Sequence, residues 1–167
     1  MEAAERIIVC GVDGSPGGQR ALMWALEEAG RRADRVRAVT AWTWDGVEAL
    51  NAASTPVEAR EQAQRRLDRS VDEVLEQMPG APSVERLAQR GLPSEALCAA
   101  AADAELIVVG SHGHGAVHDK LVGSTSERVI HHAPCPVVVV PDPRHVEKNI
   151  KRARELHAER AHPSQVL

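Results

Sequence analysis

The densest chemistry in the chain lies in two glycine-rich stretches, Gly110-Ser111-His112-Gly113-His114-Gly115 and, eight residues on, Gly123-Ser124-Thr125-Ser126. Glycines at the end of a strand let the backbone turn sharply and let a ligand come close to the main chain. A helix is expected to begin at Gly123 and Ser124. Its first unpaired N–H groups and the positive end of its dipole favour an anion, by ~0.3–1 kcal/mol for the dipole alone. The hydroxyls of Ser124, Thr125 and Ser126 add donors suited to phosphate oxygens. Asp13, in Val12-Asp13-Gly14-Ser15-Pro16 after an apolar run, is a further candidate contact, although its residue type equally suits the turn that follows. Together these residues describe a cradle for a phosphate-bearing ligand. Two familiar cradles fail on spacing. The nearby Lys120 precedes Gly123 instead of following a glycine, so there is no P-loop, and Gly11 to Pro16 lacks the glycine order of a dinucleotide fingerprint.

Histidines and cysteines point elsewhere less strongly. His112, His114 and His118 share one loop and His131 and His132 flank Cys135, but alternating loop residues point apart and a metal needs three or four converging ligands. His112 is expected to line the ligand site, and His131 and His132 to close a helix, where an imidazolium suits the dipole. Cys10, Cys98 and Cys135 are widely spaced in apolar surroundings and read as reduced core thiols. Trp42 and Trp44 follow a strand and read as edge packing in preference to stacking on a ligand.

The elements that must position these residues alternate along the chain. Ile7 to Val12, Val36 to Trp42, Val84 to Gln89, Leu106 to Val109 and Val137 to Val140 are short apolar or β-branched runs. Between them, Leu22, Ala25, Leu26 and Ala29 trace a helical stripe, as do Ala63, Leu67, Val71, Val74, Leu75 and Met78. Glu95 to Ala102 opens after Pro93, and Ser124 to His132 is stopped by Pro134. Strands and helices in this alternation imply a mostly parallel sheet covered on both faces. Both glycine-bearing loops follow strands, so they share the carboxyl edge where such sheets bind ligands.

The 167 residues are most simply one domain, and 43% apolar with 26% charged residues is a globular balance. A net charge of -4 and an aromatic content of 2% give nucleic acid neither a basic surface nor a stacking platform. No apolar run is long enough for a membrane span, and the amino terminus lacks a signal-peptide pattern, so a cytoplasmic location is expected. Residues 142–167, rich in Arg, Lys and Glu, read as a solvated helix or a frayed tail.

Gly110, two residues, Gly113, nine residues, then Gly123-Ser124 form a signature. With IIVCGVDGS, AVTAW, LIVVGSHG and GSTSERVIHHAPCPVVVV in that order, the chain resembles the universal stress protein family, specifically its ATP-binding branch, over residues 6–141. The resemblance implies an α/β fold over residues 1–141: Rossmann-like (flavodoxin-like, adenine nucleotide alpha hydrolase-like), with a doubly wound parallel five-stranded sheet in a three-layer α/β/α arrangement. It implies that Asp13 lies beside a nucleotide, that Ala41 borders the adenine, and that Gly110 and Gly113 pass along the ribose and phosphates. Gly123, Ser124, Thr125 and Ser126 would hold the phosphates. With Val12, Ser15, Ser111 and His112 these residues make up the candidate binding set. The ligand expected is ATP, or ADP or AMP, with Mg²⁺ as the counter-ion bound nucleotide commonly carries. The implied role is a nucleotide-dependent stress-response regulator, homodimeric through the last strand, Val137 to Val140. Two alternatives stand beside it: a slow ATPase or phosphotransferase using Lys120, His118 or Asp119, and a dimeric interaction module with no catalytic role.

Overall fold

Ten elements follow one another in strict alternation in the computed structural model, which describes residues 6–32, 34–44, 55–113 and 122–161, with side chains as far as Ala158. They are β1 (Ile7–Gly11), α1 (Pro16–Arg32), β2 (Arg35–Trp42), α2 (Pro56–Gln77), β3 (Val84–Arg90), α3 (Pro93–Ala100), β4 (Leu106–Gly110), α4 (Ser124–His132), β5 (Val137–Val140) and α5 (Pro143–Ala161). The sheet is parallel throughout, in the order β3-β2-β1-β4-β5. It is the α/β Rossmann-like architecture with helices on both sides.

Side chains alternate across the pleat, and both faces of the central strands are covered. Ile8, Cys10, Val36, Ala38, Leu106 and Val108 face Leu22, Leu26, Leu67, Val71 and Val74 of α1 and α2. Ile7, Val9, Val39, Ile107 and Val109 face Leu97 of α3 and Val129 of α4 on the opposite side. Leu22, Leu26 and Leu67 are 0–1% exposed, and each such burial contributes about 1.5–3 kcal/mol. The continuous apolar runs of the sequence are thus strands buried on two faces.

Local signals fix the helix ends. Thr55 and Glu58 form a reciprocal capping box ahead of α2, with Pro56 in the first turn. Ser15 starts α1: its Oγ accepts the Gly18 amide at 3.1 Å. Gly30 lies inside α1, which runs on to Arg32. α5 is a helix, and from Glu147 to Ala158 every residue is exposed. Of the three cysteines only Cys10 is buried; Cys98 and Cys135 are half-buried. Burial raises all three thiol pKa values, with the Asp13 carboxylate adding to the effect at Cys10. None is a ready thiolate.

Candidate functional site

The chain runs β1–α1–β2–α2–β3 outward to one side of β1, then crosses back through α3 to β4 on the other side. The carboxyl ends of β1 and β4 therefore send their connections in opposite directions, and a crevice opens between them. A cavity of about 380 Å³ occupies this crevice. Its floor is apolar, made by Val39, Ala41, Pro93, Leu97 and Val109. Gly110, His112, Gly113 and the segment Gly123–Ser126 form the polar rim, and Val12, Asp13 and Ser15 close the β1 side.

Each part of that rim has a local cause. Asp13 Oδ1 accepts the Ser15 amide at 2.9 Å and the Ser15 hydroxyl at 2.5 Å. Ser15 Oγ in turn caps α1, so the carboxylate is held by the turn that begins the helix. Gly14 sits inside this turn at φ 82°, a conformation costly for any side chain. Asp13 therefore organises the turn and also lines the cavity.

The two loops touch through bare backbone. A Cβ on Gly110 would lie 2.6 Å from the Gly17 carbonyl oxygen, and one on Gly17 would overlap the His112 carbonyl. A Cβ on Gly113 would strike the Asp13 carboxylate. These glycines let the start of α1 and the end of β4 come together.

At α4 the hydrogen-bond ladder begins with Glu127 N–H donating to the Gly123 carbonyl at 2.9 Å. The amides of Ser124, Thr125 and Ser126 precede it, and the capping residue, Gly123, has no side chain to take them. Two donors expected to face a ligand are engaged within the protein. The Gly123 amide donates to the Ser111 carbonyl at 2.7 Å, and the Ser126 hydroxyl donates to the Gly110 carbonyl at 2.7 Å. Both bonds lash α4 to the end of β4. The amides of Ser124–Ser126 with the hydroxyls of Ser124 and Thr125 are the remaining candidate donors on this side of the cavity.

The structure gathers every expected site residue around the cavity except Ser111. Ser111 is 3% exposed and turns away; its Oγ accepts the Asp142 amide at 3.1 Å and lies 3.0 Å from His112 Nδ1. Trp42 stands at the end of β2 under Arg90, whose guanidinium carbon is 5.8 Å from the ring centroid, and does not line the cavity. Sequence reasoning missed Thr40, Pro93 and Leu97. Leu97 lies in the helix that opens after Pro93, and only the crossover shows that α3 lines the crevice. His114, Gly115, His118, Asp119 and Lys120 lie outside the described residues. Among those described, no three His, Cys, Asp or Glu side chains converge as metal ligands. No helix among them is long and apolar enough to cross a membrane.

Comparison with known proteins gives the same outline. Residues 5–141 match the model of the universal stress protein family. A universal stress protein of Mycobacterium tuberculosis is 35% identical over 133 residues, 79% of this chain but 44% of its own length. The chain thus spans under half of the first relatives it matches. A universal stress protein of Thermus aquaticus is 34% identical over 139 residues, covering 81% of this chain and 98% of its own. Among solved structures, the universal stress protein from Archaeoglobus fulgidus in complex with dAMP superposes with a TM-score of 0.56 at 25% identity, over 81% of this chain and 97% of that one.

Proposed function

Because the chain belongs to the universal stress protein family, we propose that it binds ATP, or ADP or AMP, in the crevice between β1 and β4 and acts as a nucleotide-dependent regulator of the stress response. The observation that carries this reading is the division of the cavity. An apolar floor of Val39, Ala41, Leu97 and Val109 faces an uncapped helix start at Ser124–Ser126. A base has an apolar surface to lie on at one end, and phosphates have main-chain donors at the other. The volume of about 380 Å³ is within the ordinary range for a small-molecule site. The dAMP complex of the Archaeoglobus fulgidus protein supports an adenine nucleotide as the ligand class.

In this reading Val12, Asp13 and Ser15 border the base and sugar, Gly110, His112 and Gly113 follow the ribose and phosphates, and Ser124 and Thr125 meet the phosphates. Asp13 lines the cavity, and a Mg²⁺ carried by the nucleotide would be a cation to offset its charge. The homodimer forms through β5, the edge strand.

Isothermal titration with ATP, ADP and AMP, with and without Mg²⁺, tests the proposal. At least one should give saturable binding, and Gly113→Val, which drives a branched side chain into Asp13, should weaken it at least tenfold. Folded protein that takes up none of the three would remove the reading.

A further inference from the structure

The loop Ser111–Gly113 has two sides. His112 and Gly113 line the cavity, while Ser111 and the His112 ring meet the start of α5. The His112 and His145 rings are stacked, with centroids 5.3 Å apart and an interplanar angle of 21°. The Asp142 amide donates to Ser111 Oγ at 3.1 Å. Asp142 is 8% exposed and caps α5, its Oδ1 accepting the Arg144 amide at 2.9 Å. Its Oδ2 accepts from Arg144 at 3.0 Å and from Arg20 of α1 at 3.4 Å. The root of α5 is therefore tied to both walls of the crevice, to β4 through Ser111 and His112 and to α1 through Arg20. Beyond the root the helix is exposed. It also lies beyond the residues that match the family model, which end at Pro141.

We propose that α5 is an arm whose seating is coupled to occupancy of the cavity: the stacked His112–His145 pair and the Ser111–Asp142 bond hold the loop in its ligand-ready shape, and a bound ligand tightens that root in return. This rests on the nucleotide-binding reading above. The physical ground is that one short loop serves both contacts. When α5 is seated, the loop is already ordered, and a ligand loses less conformational freedom on binding. Linkage requires the converse: whatever factor the seated arm adds to ligand affinity, the ligand adds to the seating. His145 is then a positioning residue, acting on the site only through His112.

The test uses the full chain with ATP and Mg²⁺ as probe, reading calorimetric affinity and hydrogen exchange of the amides from 144 to 150. Saturating ATP should slow exchange at the root by about fivefold or more, the lower end of ordinary coupling between sites. His145→Ala should lower ATP affinity by a similar factor, abolish the ligand-induced slowing and leave the urea midpoint unchanged. His145→Phe, which keeps a flat ring against His112, should restore both. The proposal is overturned by ATP binding that leaves root exchange unchanged, by a His145→Ala protein that binds ATP as tightly as the parent, or by an affinity loss that merely follows a fall in global stability. Absence of binding by ATP, ADP and AMP alike would instead remove the nucleotide reading, and the coupling with it.

Discussion

Asp142 shows how much one buried carboxylate can organise. The Arg144 side chain, then its backbone amide, hold the Asp142 pKa well below the usual carboxylate range. Partial burial opposes this, and the charges of Arg144 and Arg20 reinforce it. A folded-state pKa below the unfolded value of ~3.9 means that the group stabilises the fold above that pH and loses its contribution as pH falls through the depressed value. The ionised cap should therefore survive at pH 4 and fail only in stronger acid. Carboxyl-carbon NMR should give a midpoint for Asp142 below ~3.9, and Arg144→Ala should raise it. A midpoint at the ordinary value in the parent protein would mean the cap is not formed in solution. The capping part of this role is local, with Pro143 and Arg144 next in the chain, but the tie to α1 is not, because Arg20 is 122 residues away. Ser111 misled for the same reason. Its type and place suit a ligand, but its partner is the amide of a residue 31 positions on.

Elements were more legible than contacts. α4 spans Ser124–His132 as its glycine start and Pro134 stop indicate, and the five apolar runs are the five strands. These signals are local: capping, proline exclusion and two-faced burial act within a few residues. How elements are fastened together is a matter of long-range geometry. The Ser126 hydroxyl was expected on a phosphate and is found on the Gly110 carbonyl, 16 residues away, clamping α4 to β4. Ser126→Ala should leave that carbonyl without its partner and destabilise the protein by about 1–3 kcal/mol in urea unfolding. It should also loosen the first turn of α4, so nucleotide affinity should fall along with stability. A variant as stable as the parent would restore Ser126 to the list of direct ligand contacts.

Across the whole molecule, the order β3-β2-β1-β4-β5 places the crevice at mid-sheet and leaves β5 as an edge. Val137–Val140 are all half-buried, and an edge of this kind invites a second strand. The carbonyls of Pro136 and Val140 accept from Ile107 and Ser111, so the strand's alternation turns the N–H and C=O of Val137 and Val139 to the open side. Sedimentation at micromolar concentration should show a dimer, and Val139→Pro, which removes an outward donor without breaking a bond to β4, should give monomer. A parent protein that sediments only as monomer would exclude pairing through this edge.

The boundary between matched and unmatched sequence falls at Pro141, one residue before Asp142, whose amide donates to Ser111 and whose carboxylate holds Arg20 and Arg144. Trimming the polypeptide there, the natural choice for a minimal fragment, would take the Asp142 carboxylate from Arg20 and the Asp142 amide from the Ser111 hydroxyl. A fragment meant to report on the intact protein should accordingly keep at least the first turn past that point.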